Sequence, residues 1–512
     1  MNANNKVGSL TEKQEMDIRI MDGNEAAASV AYRCTDVIGI YPITPSSAMS
    51  EYCEEWTNLK IKNFRGTIPS IYEMQSEAGA AGLVHGALTA GSLATSFTSS
   101  QGLLLMIPNM YKIAGELTSF VLHVAARTVA THALSIFGDH SDVMAVRQTG
   151  FAMLSSDNCQ QAHDFALIAH AATLKSRIPF VHFFDGFRTS HELNHVQYIH
   201  DNVIAEMLET NAVVQNFQRR LTPDAPTLRG SSQNPDTYFQ AREAVNQYYD
   251  GCPDIVADMM DKFGELTQRH YKPFVYFGDD KATDIIVIMG SAVSTVKQTV
   301  ASLLKQNRKV GVLCVHLFRP FSVKHCLNAM PSTVQNIAVL DRTKEPGAVG
   351  EPLYLDITSA IARNWKTHHS TPQPTIFGGR YGLSSKEFAP RHVVSVFTAL
   401  ELGTIFHDFT IGITDDVTNL SLPLIHDNLK YDDTKLRALF YGLGSDGTVG
   451  ANKNTIKIVG ADSPWFTQGY FVYDSKKSGG MTTSHLRFNS SPLIRLTLLM
   501  RQTSLVVINL AY

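Results

Sequence analysis

Short apolar runs alternate with longer segments of helical period from Val37 to Phe187, the pattern of a doubly wound parallel sheet. The runs predict strands over residues 37–41, 68–72, 93–97, 120–125, 151–154 and 180–184. Between them the period predicts helices such as 75–88, rich in Ala and Gly for close packing, and 101–117. Residues 194–276 lose that rhythm: helical stretches surround the loop-like RGSSQNPD at 229–236, a region expected to wrap the first unit. A second α/β unit opens at Asp284, where IIVIMGS, a helix through Leu304, KVGVLCVHLF as one strand, a helix near Leu327 and NIAVLDR follow in β-α-β-α-β order. Its strands are apolar on both faces, as a covered parallel sheet requires. A third begins near Leu436 with strand ALFYGLGSDG, a helix through about residue 458 and a second strand, QGYFVYDSKK. The chain stops at residue 512, so this third domain is expected to be incomplete. The expected boundaries are a leader over 1–21 and domains over 22–270, 271–428 and 429–512.

Composition narrows the class. A chain of 512 residues with 44% apolar and 18% charged residues exceeds one core and reads as several ordinary globular domains, neither disordered nor collagen-like. Its 44 basic and 47 acidic residues, net −3 with no long run of one sign, do not point to nucleic acid or an anionic membrane. Six scattered cysteines without a C-x-x-C pair argue for reduced thiols rather than disulfides, a zinc site or iron-sulfur ligands. With no apolar leader and no membrane-length apolar run, the expected location is the cytoplasm.

Three side chains stand where predicted strands end: Thr44 in YPITPSS (41–47), Glu77 in EMQSEAGA (73–80) and Arg127 after FVLHVAA. All three would face the carboxyl edge of the sheet, where α/β ligands bind. Each also has a plain structural reading as turn, first-turn carboxylate or ion-pair partner. The loop FGDHSD (137–142) clusters His and Asp, which turn and cap duties explain about as well as an acid-base site. His191-Glu192-Leu193-Asn194-His195 spells H-E-x-x-H, but it follows a strand-end turn and lacks a long periodic helix. Ser190 capping a short polar helix is the expectation there, and no metal is assigned. Gly442 to Gly447 follow a predicted strand and open a helix, the context of a G-x-G-x-x-G phosphate loop. Asp474 ends the next strand and Lys476 and Lys477 follow, which favours a ligand with extra phosphate, NADP or coenzyme A.

In this order the motifs resemble the pyruvate:ferredoxin (flavodoxin) oxidoreductases, thiamine diphosphate enzymes that convert pyruvate to acetyl-CoA. Further segments carry the resemblance: TSFTSSQGLLLMIPNMYKIAGEL (95–117), HVAARTVATHALSIFGDHSDVMAVRQTGFAML (123–154), HFFDGFRTSHE (182–192), LDRTKEPGA (340–348), GGRYGLSSKEF (378–388), FYGLGSDGTVGANKN (440–454) and QGYFVYDSKKSGG (468–480). The resemblance implies that Thr44 borders the pyruvate site, that Arg127 holds the substrate carboxylate, and that Glu77 shares a proton with the aminopyrimidine of thiamine diphosphate. It further implies a pyrimidine-binding domain, a transketolase carboxyl-terminal-like domain and the start of a coenzyme A domain, in which Gly444, Ser445, Asp446, Gly447 and Thr448 cradle phosphate and Lys476 or Lys477 neutralises it. Family chains continue into iron-sulfur segments and a domain that binds the diphosphate with Mg²⁺. They pass electrons to ferredoxin or flavodoxin and form homodimers. None of those continuing segments is in this sequence, and its tail departs from the family pattern most clearly after Ser504, so an amino-terminal part, inactive alone, is expected. The competing readings are a non-catalytic subunit of a split 2-oxoacid oxidoreductase and a nicotinamide-dinucleotide protein.

Overall fold

A computed structural model describes residues 17–425, 434–474, 479–493 and 504–507. The first strands are β1 (Ile18–Met21), β2 (Val37–Ile40), β3 (Ser70–Glu73), β4 (Ala94–Thr98), β5 (Val121–Ala126), β6 (Ala152–Ser156), β7 (Phe180–Asp185) and β8 (Asn194–Gln197). Strands β2 to β7 form the expected parallel sheet, ordered β6-β7-β5-β4-β2-β3, each close to its predicted bounds. Strands β1 and β8 pair antiparallel as a separate ribbon. The helix predicted over 75–88 runs Glu77–Thr89, with the Ser76 hydroxyl accepting from the Gly79 N–H at 3.2 Å. The helix predicted over 101–117 is instead two, Ser100–Leu105 and Ile107–Gly115, broken just before Pro108, which cannot donate into a continuous ladder. Cys159–Ser176, a helix the pattern did not single out, is buried between the sheet and the helix Asn246–Thr267. It is buried nearly all round, with polar side chains such as Gln161, His163, Asp164 and His170 among the buried ones, so it lacks the division into apolar and polar stripes that marks a surface helix.

The second group comprises β9 (Phe274–Gly278), β10 (Asp284–Ile288), β11 (Val310–Val315), β12 (Leu317–Arg319), β13 (Asn336–Asp341), β14 (Thr375–Tyr381) and β15 (Phe409–Ile411). Its sheet is ordered β15-β14-β13-β10-β11-β9, parallel except for β9. KVGVLCVHLF is not one strand. Strand β11 stops at Val315 and β12 crosses over to pair antiparallel with β6 on the edge of the first sheet. Between them the His316 carbonyl accepts from the Ser155 N–H at 2.7 Å, so one apolar run staples two sheets together.

The third group is β16 (Leu436–Leu443), β17 (Phe466–Val472), β18 (Met481–Asn489) and β19 (Ser504–Val507), ordered β17-β18-β16-β19. Strand β18 was missed, because its alternating MTTSHLRFN lacks a continuous apolar run. Strand β19 lies parallel to β16, in the place where the family-like pattern was expected to fade. The helix Thr448–Asp462 docks on the first domain, with Lys453 Nζ 3.7 Å from Asp22 and Lys457 Nζ 3.7 Å from Glu25. Among the described residues, no helix is long and apolar enough to cross a membrane.

Candidate functional site

The carboxyl edge of the first sheet brings Thr44 and Arg127 together. Arg127 directly follows β5, is only 6% exposed, and donates from Nη1 to the Thr44 carbonyl at 2.9 Å. Its Nε lies 3.4 Å from the Ser135 carbonyl. Among the described residues it makes no ion pair, which is unusual for a buried guanidinium. Burial pulls its pKa below the ordinary arginine value, although Asp142 nearby opposes the shift. Thr44 is half-buried in the turn after β2, where Pro45 packs against Gly186: a Cβ at that glycine would lie 2.7 Å from Pro45 Cγ and 2.6 Å from the Ala126 carbonyl oxygen.

Glu77 opens its helix and is also only 6% exposed, yet its carboxylate has no hydrogen-bond partner among the described residues. The next helix, Ser100–Leu105, lies directly against it, since a Cβ on Gly102 would stand 2.6 Å from Glu77 Oε1 and 2.7 Å from Thr98 Oγ1. The Thr98 hydroxyl is buried and equally unpartnered. A carboxylate without a hydrogen-bond partner among the described residues thus stands beside a shielded, unpartnered hydroxyl, an arrangement able to receive a polar ligand edge.

Asp142, in a loop that the sequence offers about equally as turn or cap and as acid-base residues, organises this edge. Its Oδ2 accepts the N–H groups of both Ser100 and Arg127, at 2.8 and 2.9 Å, while Oδ1 accepts from Val143 at 2.7 Å. One carboxylate thereby ties the exits of β4 and β5, and it holds Ser100 at φ +49°, a costly backbone for a non-glycine residue. Burial pushes the Asp142 carboxyl up to about 7 against those hydrogen bonds. Asp139 performs the expected turn duty, with Oδ1 accepting from the Ser141 N–H and hydroxyl at 2.9 and 2.6 Å.

The H-E-x-x-H segment is not a helix. Residues 191–193 leave a turn and β8 begins at Asn194, so Ser190 caps nothing helical; its hydroxyl accepts from the Phe187 N–H at 2.8 Å instead. The two imidazoles are engaged separately. His191 stacks on Phe187 with centroids 4.9 Å apart, and His195 Nε2 accepts from the Thr467 N–H at 3.0 Å. Glu192 is buried and accepts from Gln468 Nε2 at 2.6 Å, joining the first domain to the third; burial pushes its carboxyl up to about 8.

The loop after β16 has the predicted strand-loop-helix geometry, with Ser445 at φ +73° and Gly447 at φ +86° just before the helix. The N–H groups of Ser445 and Gly447 have no acceptor among the described residues. Asp446 departs from the expected cradle. Its carboxylate already takes the Leu443 and Thr448 N–H groups, at 2.7 Å each, and presents negative charge where a phosphate would approach. Lys476 and Lys477 lie outside the described residues.

Three models of one family match the chain in order: "Pyruvate flavodoxin/ferredoxin oxidoreductase, thiamine diP-bdg" over residues 29–261, "Pyruvate:ferredoxin oxidoreductase core domain II" over 282–381 and "Pyruvate ferredoxin/flavodoxin oxidoreductase" over 437–509. The last match runs past Ser504, which corrects the expected loss of family pattern there. Pyruvate-flavodoxin oxidoreductase of Nostoc sp. is 58% identical over 493 residues, 95% of this chain and 41% of that protein. A probable pyruvate-flavodoxin oxidoreductase of Escherichia coli is 58% identical over 92% of this chain and 40% of its own length. Pyruvate:ferredoxin oxidoreductase of Moorella thermoacetica is 55% identical over 93% and 40%. The chain thus spans about 40% of the length of these curated relatives. A solved structure of 2-oxoglutarate:ferredoxin oxidoreductase from Magnetococcus marinus, with 2-oxoglutarate, coenzyme A and succinyl-CoA bound, overlays with a TM-score of 0.53 at 16% identity, covering 75% of this chain and 65% of that one. At that identity the overlay shows a shared fold alone.

Proposed function

Because the chain belongs to the pyruvate:ferredoxin (flavodoxin) oxidoreductase family, we propose that in a protein of its relatives' length it forms the pyruvate pocket, the pyrimidine side of a thiamine diphosphate site and part of a coenzyme A site. The reaction is the oxidative decarboxylation of pyruvate: the bond between the carboxylate and the carbonyl carbon breaks to release CO₂, the acetyl group joins the coenzyme A sulfur, and two electrons pass to ferredoxin or flavodoxin with release of one proton. The observation that carries this reading is the buried guanidinium of Arg127 beside Thr44, which has no ion-pair partner among the described residues. A planar fork without a protein carboxylate suits a substrate carboxylate, which it would bind through two hydrogen bonds. The Thr44 hydroxyl, without a partner among the described residues, would complete the contact.

Thiamine diphosphate fits what surrounds Glu77. The Glu77 carboxylate, without a hydrogen-bond partner among the described residues, and the Thr98 hydroxyl can meet the polar edge of the pyrimidine, and Gly102 leaves the necessary space. When bound, the cofactor supplies a carbon nucleophile and an electron sink for decarboxylation. Glu77's part is to hold a proton at the pyrimidine ring nitrogen. Among the described residues no cluster offers three metal ligands, so Mg²⁺ and the diphosphate are assigned no residue here. In the third domain, Gly444, Ser445, Gly447 and Thr448 would face coenzyme A phosphate, with Lys476 or Lys477 adding charge. Further readings for a protein of full family length are iron-sulfur clusters on the electron path, a homodimer and a cytoplasmic location. The split, non-catalytic subunit is less favoured, because the relatives carry the matching region within single, longer proteins.

The test is a viologen-reduction assay with pyruvate and coenzyme A on protein of the relatives' length, comparing wild type with Arg127→Lys. A raised KM for pyruvate is expected. An unchanged KM would leave Arg127 a structural residue.

A further inference from the structure

In the second sheet β11 and β13 flank β10, so the chain proceeds to opposite sides after β10 and the carboxyl ends of β10 and β13 border the topological switch point. Open α/β sheets bind their ligands at that point. Here the point is filled from the other domain. Asp185, the last residue of β7 in the first sheet, places Oδ2 against three donors: the Ser291 N–H at 2.9 Å, the Ser291 hydroxyl at 2.5 Å, and Arg342 Nη1. Ser291 caps the 13-residue helix Ala292–Leu304 that follows β10, and Arg342 directly follows β13. The other oxygen, Oδ1, lies 2.6 Å from His140 Nε2.

The donors form a site built for a carboxylate rather than a chance ion pair. Asp185 and Arg342 side chains are 0% and 3% exposed. Gly290 adopts φ +78°, and a Cβ on it would come within 3.1 Å of both carboxylate oxygens. Arg342 is itself aimed by donating from Nε to the Gly382 carbonyl at 2.9 Å. A helix N-terminus, a serine hydroxyl and a guanidinium converging on one oxygen reproduce the way such sheets hold anionic ligands. Burial alone would raise the Asp185 carboxyl; the Arg342 guanidinium, with the hydrogen-bonding contacts from His140 and Ser291, more than offsets it and holds it well below the ordinary carboxylate range.

We propose that the switch-point crevice of the second domain is a carboxylate-binding site whose occupant is Asp185 of the first domain, acting as a tethered ligand, and that it takes up a free small carboxylate when that side chain is removed. The tether bears on the pyruvate edge, because the next residue, Gly186, donates to the Ala126 carbonyl at 2.9 Å and packs under Pro45. The proposal does not depend on the assigned reaction, and its test reads binding and stability rather than activity.

The probe is sodium formate, matched to the volume lost in Asp185→Ala, applied to the 512-residue chain during thermal unfolding. The variant should melt lower by on the order of 10 °C, since a buried guanidinium loses its partner. At 100 mM, formate should restore at least half of that loss and sodium chloride should not. Formate should leave wild type and the isosteric Asp185→Asn unmoved, because no space exists for it, and should fail on Asp185→Ala/Arg342→Met, which lacks the fork. Should Asp185→Ala not fold unaided, refolding with and without formate reads the same site, and recovery is expected only with formate. Equal effects of formate and chloride, an equal formate effect on Asp185→Asn, or no recovery of an unfolded Asp185→Ala by formate would each overturn the proposal.

Discussion

The Arg127 guanidinium donates to the main-chain carbonyl of Thr44 at 2.9 Å. This bond joins the exits of β5 and β2 and leaves the rest of the fork without an ionic partner among the described residues. A buried charge in that state costs stability unless an anion pairs with it, so binding and stability should respond in opposite directions to changes at this position.

Arg127→Met should therefore raise the melting temperature of the 512-residue chain, by roughly 2–6 °C for an uncompensated charge replaced by an apolar side chain of similar length. In protein of the relatives' length, Arg127→Lys should raise KM for pyruvate with kcat less affected, because a point charge replaces a two-pronged contact used in ground state and transition state alike. Thermal unfolding and initial rates check the two halves. A lower melting temperature in the Met variant would mean that the guanidinium is satisfied within the fold.

Glu77→Gln keeps the shape of a buried side chain that has no hydrogen-bond partner among the described residues, and removes its charge. The chain should fold at least as stably as wild type. Exchange of the C2 proton in bound thiamine diphosphate, followed by NMR in protein of full family length, should slow on the order of 100-fold or more, the scale of a positioned acid-base group. Unchanged exchange would leave Glu77 as a helix-terminal carboxylate and nothing more.

What the sequence disclosed follows from how each element is buried. Strands such as β5 and β10 are covered on both faces and read as plain apolar runs. The helix Cys159–Ser176, buried nearly all round with polar and apolar residues mixed, and the alternating β18 carry neither mark. KVGVLCVHLF misled because hydrophobicity reports burial and not which sheet a strand joins. At the site, Thr44 and Arg127 were legible as strand-end residues on a common edge. Their bond was not, nor was the clamp of Asp142 on Ser100, because contacts between distant segments depend on tertiary register. Asp185, Ser291 and Arg342 meet across more than 100 residues of sequence, with no local pattern to announce them.

Three buried imidazoles should give the fold an acid limit. His123 Nδ1 lies 2.9 Å from His182 Nδ1, His123 Nε2 lies 3.4 Å from His170 Nε2, and the Ser156 hydroxyl ends the row 2.8 Å from His182 Nε2. Burial pushes His170 and His182 down to about 3 from 6.5, and burial, joined by the neighbouring rings, holds His123 well below 6.5. These groups are neutral in the fold and take up protons on unfolding. Their contribution is fully present above about pH 6.5 and is lost as pH falls from there towards about 3. The urea midpoint of the 512-residue chain should drop across that window, and His170→Gln should reduce the proton uptake on unfolding by about one. An unchanged pH slope in that variant would show that His170 titrates normally in the folded chain.

Binding at the loop after β16 should tell coenzyme A from a nicotinamide dinucleotide. Phosphate approaching the N–H groups of Ser445 and Gly447 meets the Asp446 carboxylate, which already accepts from Leu443 and Thr448. Asp446→Asn keeps one acceptor oxygen and removes the repulsion, so it should tighten coenzyme A binding in protein with the complete third domain. Replacing Lys476 and Lys477 together by Ala should weaken that binding roughly three- to tenfold, the sum of two exposed charge contacts. Affinity of the wild type should also fall as salt rises, since exposed charges are screened. NAD should bind more weakly than coenzyme A, because it lacks the additional phosphate that the two lysines would meet. Calorimetric titration of wild type and both variants orders these outcomes. Weaker coenzyme A binding by Asp446→Asn would place the phosphates away from this loop, and tighter binding of NAD than of coenzyme A would return the domain to the dinucleotide reading.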